Sequence, residues 1–245
     1  MQNRKLVIGN WKMNKNLSET VAFLEEFKTK LESKKTNIAS NVDFGIAAPF
    51  ISLAAFKDLI DIPNFYLCAQ NVSFYEKGAF TGEVSADMLK DLDVKYVIVG
   101  HNERRRYYGE NCKIINTKAK LAIEAGLTPI ICVGETYEAY ESGQSKNVIY
   151  NQVMDSTQGI DLNKVIIAYE PIWATGTGYC SSAEWAQDIC KYIHELVGKD
   201  VLIQYGGSVT SSNVKKLAAQ PDIDGFLIGK ASLKVEDFIK IIEEF

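Results

Sequence analysis

Histidine is scarce in this 245-residue chain, which has only His101 and His194. Two histidines so far apart give no zinc-like ligand spacing, so no metal site is expected. The five cysteines, Cys68, Cys112, Cys132, Cys180 and Cys190, are odd in number and form no CxxC pair. They read as reduced thiols of a cytoplasmic protein rather than as a disulfide framework. No stretch approaches the roughly 18 apolar residues that would cross a bilayer, so no membrane contact is expected. The start, Met1-Gln2-Asn3-Arg4-Lys5, has neither an apolar targeting core nor a small-residue cleavage site. Charge runs, low-complexity tracts and linker-like shifts in composition are also missing. No domain boundary is therefore placed, and residues 1–245 are taken as one domain. The net charge of −4 supplies no global field for nucleic acid. An anionic ligand would have to be held locally, by one or two cations and oriented backbone N–H groups.

With only five prolines, and with 47% apolar against 24% charged residues, the chain can bury a sizeable core. Eight short β-branched runs recur: Leu6–Ile8, Phe44–Ala47, Tyr66–Ala69, Tyr96–Val99, Pro129–Val133, Val165–Tyr169, Leu202–Tyr205 and Phe226–Ile228. Most are nearly continuous in apolar residues, as strands buried on both faces should be. Amphipathic segments separate them. One is capped by Ser18 and runs through Leu31; the others are Ile51–Ile60, Ser85–Leu92, Lys113–Ala125, Asn147–Thr157, Ser182–Val197, Ser212–Ala219 and Val235–Glu244. Strand then helix, eight times, is the length and order of a closed (β/α)8 TIM barrel. A doubly wound open sheet is the alternative that the pattern leaves open.

The polar residues favour the barrel, whose catalytic groups sit on loops at the carboxyl ends of the strands. Asn10-Trp11-Lys12 follows strand 1, Gln70-Asn71 strand 3, Gly100-His101-Asn102-Glu103 strand 4 and Gly134-Glu135 strand 5. Glu170-Pro171 follows strand 6, Gly206-Gly207-Ser208 strand 7 and Gly229-Lys230 strand 8. His101 opens a helical turn, and a helix N-terminus disfavours imidazolium, so a neutral donor is expected there. His194 lies within a helix and reads as a surface or packing residue. Glu170 ends an apolar run, where burial is expected to raise its pKa toward the range useful for proton abstraction. A structural ion pair is its other reading. Residues 171–178, rigid at Pro171 and punctuated by Gly176 and Gly178, have the composition of a moving lid. Gly176-Thr177-Gly178, Gly206-Gly207-Ser208 and Gly229-Lys230 would let backbone approach one phosphoryl group closely.

These residues resemble the triosephosphate isomerase family. The segments Asn10-Trp11-Lys12-Met13-Asn14, Ala69-Gln70-Asn71, Gly78-Ala79-Phe80-Thr81-Gly82-Glu83, Gly100-His101 and Cys132-Val133-Gly134-Glu135 are similar to that family's signatures. So are Tyr169-Glu170-Pro171-Ile172-Trp173 and Tyr205-Gly206-Gly207-Ser208, and the likeness runs from residue 3 to the end. The resemblance implies interconversion of dihydroxyacetone phosphate and glyceraldehyde 3-phosphate through an enediolate, without cofactor or metal. It implies Glu170 as the base, His101 as donor to the substrate oxygens, and Lys12 with Asn10 stabilising developing charge. The phosphate would lie on backbone N–H groups of Gly176, Ser208, Gly229 and Lys230. A homodimer is implied too, through the Gly78–Glu83 loop, with Thr81 reaching the partner's site.

The chain departs from the family pattern at three positions. Asn102 stands where a serine is usual, Thr175 where the lid carries a branched aliphatic, and Lys230 where the strand-8 loop has a second glycine. A side-chain amide can donate like a hydroxyl, so Asn102 is expected to hold the base. Two rival functions fit the barrel less well. A Schiff-base aldolase needs a lysine inside the barrel at the catalytic end, whereas strand 6 has Lys164 at its entry and Glu170 at its exit. A non-catalytic scaffold leaves an intact Lys12, His101 and Glu170 without a purpose.

Overall fold

The structure, a computed structural model, describes residues 4–33, 38–59, 61–174 and 181–245. Its strands are β1 (Lys5–Asn10), β2 (Val42–Ala48), β3 (Phe65–Ala69), β4 (Tyr96–Val99), β5 (Thr128–Val133), β6 (Ile166–Tyr169), β7 (Ile203–Tyr205) and β8 (Gly225–Ile228). They form one closed parallel barrel in sequence order. Closure rests on β1 pairing with β8, from Leu6 opposite Gly225 to Gly9 opposite Ile228. That pairing removes the open-sheet alternative.

The continuous apolar runs follow from burial on both faces. Successive strand side chains point to opposite sides, so Leu6, Ile8, Ile130, Cys132, Ile166 and Ala168 fill the barrel interior. Their neighbours Val7, Ile131, Val133, Ile167 and Tyr169 point outward to the helices. The described helices are α1 (Leu17–Ser33), α2 (Phe50–Leu59), α3 (Ala86–Asp91), α4 (Asn102–Tyr108), α5 (Cys112–Glu124), α6 (Tyr137–Glu141), α7 (Ser145–Thr157), α8 (Ala183–Val197), α9 (Val214–Ala218) and α10 (Val235–Ile242). Ile60, expected to end α2, lies outside the described residues.

Of the two readings of His194, surface or packing, burial at the amino-terminal end of the barrel selects the second. His194 is buried on α8 and lies between two carboxylates, with Nδ1 at 2.8 Å from Asp222 and Nε2 at 3.2 Å from Asp224. Lys199 and Gln187 also hold Asp222, and Lys5 holds Asp224. Burial pulls the His194 pKa down, but bonds to Asp224 and Asp222 outweigh it and leave the value above its ordinary 6.5. Burial pushes Asp222 up, and Lys199, His194 and Gln187 bring it down to about 2. A raised histidine stabilises the fold fully below 6.5, and that contribution is lost as pH rises through the raised value. The lowered Asp222 acts in the opposite sense, contributing above its ordinary 3.8 and losing that contribution as pH falls toward about 2. His194→Asn should therefore cost about 3 kcal/mol near pH 5.5, at the low end for breaking a buried pair. The loss should be clearly smaller at pH 9. Thermal melts at the two pH values test this, and a pH-independent difference would contradict it.

Candidate active site

The polar loops converge at the carboxyl ends of the strands, as expected. Glu170 directly follows β6 and is 2% exposed. Its backbone N–H donates to the Val133 carbonyl at 2.8 Å, continuing the β5–β6 ladder by one residue. Gly134 is required beside it, because a Cβ there would collide with the Glu170 carbonyl. Gly206, after β7, leaves room on the other side, with the Glu170 Cγ 3.0 Å from where its Cβ would stand.

The carboxylate is gripped at both oxygens. Oε1 lies 2.8 Å from His101 Nε2, and Oε2 accepts the Asn102 backbone N–H at 3.0 Å. His101 caps the start of α4, and its Nδ1 accepts the Glu103 N–H at 3.3 Å. A ring nitrogen that accepts carries no proton, so the ring's proton is on Nε2 and points at Glu170. Burial raises the Glu170 pKa, but His101, the Asn102 N–H and Lys12 together outweigh it, so the value lies below 4.5. This overturns the expectation that burial leaves the value raised. Desolvation acts as foreseen, but the same loop also supplies donors to the ionised form.

Asn102 corrects a second expectation. Its backbone reaches the base, whereas its buried side-chain Nδ2 has no hydrogen-bond partner. The Cys132 thiol lies beside Glu170; burial first, and then that negative charge, pushes its pKa up. It is a poor candidate for an ionised nucleophile.

Lys12 stands opposite, in the left-handed region at φ 54°, which a residue with a Cβ adopts at a cost. Neighbours hold it there. The Asn10 Oδ1 accepts its N–H at 3.1 Å, and the Gln70 side chain donates to its carbonyl at 2.9 Å and to that of Ala47 at 2.8 Å. The Lys12 Nζ pairs with Glu103 at 2.7 Å. Gly229 lies against its stem, with Cε 3.8 Å from where a Cβ would stand. Ser208 follows β7, with its carbonyl held by Asn213 at 2.8 Å, and Lys230 is exposed at the start of a short 3-10 turn after β8. Of the lid, Ile172–Ala174 form a 3-10 turn and Trp173 donates to Glu135 at 2.7 Å. Gly176 and Thr175 lie outside the described residues. No metal-holding group of three or more His, Cys, Asp or Glu occurs among the described residues. Sequence reasoning missed the Gln70 brace and the Lys12–Glu103 pair. Gln70 stood in the right loop, but nothing local in the sequence gave it a partner.

A barrel that seats a buried, ionised carboxylate against an imidazole N–H, with an ammonium across the mouth, is an enzyme arranged for proton transfer beside a carbonyl group. Comparison with known proteins narrows that class. The family model for triosephosphate isomerase matches residues 5–245. A protein named triosephosphate isomerase from Mycoplasmopsis pulmonis is 51% identical over 238 residues, covering 97% of this chain and 96% of its own length. Its namesakes from Mesomycoplasma hyorhinis and Carboxydothermus hydrogenoformans are 46% and 45% identical, each alignment covering 98% of both chains. The chain belongs to the triosephosphate isomerase family, whose members interconvert dihydroxyacetone phosphate and glyceraldehyde 3-phosphate in glycolysis.

Proposed function

We propose that this chain catalyses its family's isomerisation with Glu170 as the base, His101 and Lys12 as electrophiles, and Asn10 holding Lys12 in place. The observation that carries this reading is the 2.8 Å contact between His101 Nε2 and the Glu170 carboxylate at the end of β6. When substrate enters, Glu170 removes a proton from the carbon beside the carbonyl and returns it to the neighbouring carbon. The His101 Nε2–H, released from Glu170, donates to the two substrate oxygens in turn, and Lys12 exchanges Glu103 for the developing enediolate. Substrate and product are isomers, so the proton's path needs no redox partner and we assign no cofactor or metal. Backbone N–H groups of Ser208, Gly229 and Lys230, together with Gly176, would take the phosphate. A coupled assay that follows glyceraldehyde 3-phosphate tests the activity; an inactive wild-type protein would leave only the scaffold reading.

The same proposal includes a homodimer. The Gly78–Glu83 loop is exposed throughout, and Phe80 stacks on Tyr75 at 3.6 Å with 37% and 41% of the two residues exposed. Met13, next to Lys12, is 96% exposed. A second copy covering this apolar rim would bury it beside the site. Light scattering should read twice the chain mass; a monomer that remains fully active would contradict this. A cytoplasmic location accords with a glycolytic family and with the free thiols of Cys68, Cys112, Cys132 and Cys190. No helix among the described residues is long and apolar enough to cross a membrane.

A further inference from the structure

The β4–β5 ladder ends with Val99 opposite Ile131. His101 lies two residues beyond that last pair, so strand pairing does not fix its backbone against β5. Gly100 turns the chain out of the strand at φ 69°, and a Cβ there would press within 2.5 Å of Ile115. What takes over the bridging is Arg105, one turn along α4. Its Nε donates to the Gly100 carbonyl at 2.9 Å and its Nη2 to the Cys132 carbonyl at 2.9 Å. Its Nη1 donates to the Cys112 Sγ at 3.3 Å. All three acceptors are neutral, and among the described residues no ion pair engages this arginine. Cys132 is registered against Ala168 in β6, two residues before Glu170.

We propose that Arg105 is a positioning residue for the proton transfer, its fork tying the peptide before His101 to the strand that carries the base's neighbour. The inference rests on the roles given above to His101 and Glu170. The imidazole has little freedom of its own, since Nδ1 is committed to the Glu103 N–H. Where Nε2 points is therefore set by the backbone at Gly100 and His101, and Arg105 sets that backbone against β5 and β6. A planar guanidinium reaches a carbonyl in the turn after β4 and one in β5 at once; an ammonium is a point donor on a flexible stem and cannot hold both in one plane.

The test uses the chain's two histidines. In protein labelled with 15N-histidine, the His101 Nε2–H reports the bond to Glu170, and His194, buried at the other end of the barrel, reports that the fold is intact. Arg105→Met should lower kcat on the order of 100-fold, the scale set by a misplacement of about 1 Å, and Arg105→Lys about tenfold. KM should stay within about threefold, because the phosphate loops are untouched. The His101 signal should shift or broaden in both variants while that of His194 stays. An unchanged His101 signal, or a kcat within twofold of wild type in Arg105→Met, overturns the proposal. If Arg105→Met loses the His194 signal, the lysine variant decides by the same criteria. His101→Gln separates the two levels: should it keep wild-type turnover, the reading of the site fails whatever Arg105 does.

Discussion

Glu170→Asp should lower turnover on the order of 10²–10³, equivalent to about 2.7–4 kcal/mol of barrel-mouth geometry. Efficient proton transfer needs the base within about 3–3.5 Å of the substrate carbon. Removing one methylene draws the carboxylate back toward β6, away from the His101 Nε2 that now lies 2.8 Å from it. Phosphate binding should change little, since Ser208, Gly229 and Lys230 belong to other strand ends. The pH profile gives an independent check. Burial raises the Glu170 pKa, and His101, Asn102 and Lys12 pull it below 4.5. If the ionised carboxylate is the base, Glu170 should add no fall of its own to kcat/KM until pH drops beneath 4.5, and the fall at about pH 6 belongs to protonation of the substrate phosphate. A near-wild-type aspartate variant would mean that Glu170 is not the base.

Lys12→Met should cost a further 10²–10³ in kcat/KM, the scale for removing one donor aimed at developing negative charge. The Lys12–Glu103 pair is partly exposed, so breaking it should change stability little. The left-handed backbone at position 12 remains braced by Asn10 and Gln70, which contact main-chain atoms only. The loss should therefore fall on catalysis and not on folding. Lys230→Gly is the matching control. If backbone N–H groups hold the phosphate, affinity for an anionic mimic of the enediolate should stay within a few fold. A 100-fold loss, about 2.7 kcal/mol, would make the Lys230 side chain a direct ligand. A Lys12→Met protein that keeps full kcat/KM would remove Lys12 from the mechanism.

The barrel was legible because burial on both faces writes eight apolar runs into the chain, and turn residues bound each one. Strand edges moved only slightly. Val165 precedes β6 because a 3-10 turn at Leu162–Lys164 takes up the entry, and α7 begins earlier, at Ser145. Short helices left less trace. Only the first turn of α4, at Asn102–Arg104, was foreseen; α4 reads NERRRYY and α6 reads YEAYE, and neither buries a residue, so periodicity has nothing to mark. Position along the strand ends put Lys12, His101 and Glu170 among the candidates, and the family resemblance gave Lys12 its role. Their pairing was not readable: Lys12 and Glu103 lie 91 residues apart, and their contact exists only once the barrel closes. The partners of His194 were unreadable for the same reason, since Asp222 and Asp224 reach it from 28 residues or more along the chain. The direction of the Glu170 pKa depended on two donors, His101 and the Asn102 N–H, and on the charge of Lys12, which no local pattern lists together. Thr175 and Gly176 stay as sequence expectations, outside the described residues.

The role proposed for Glu170 is to carry a proton between adjacent carbons of a triose phosphate. The most direct measurement is proton NMR of the reaction in deuterium oxide, run in parallel on the wild type and Glu170→Gln. The wild type should form isomerised product carrying deuterium at the carbon that received the transferred proton, and Glu170→Gln should form almost none in the same time. Isomerisation by Glu170→Gln at the wild-type rate would contradict it.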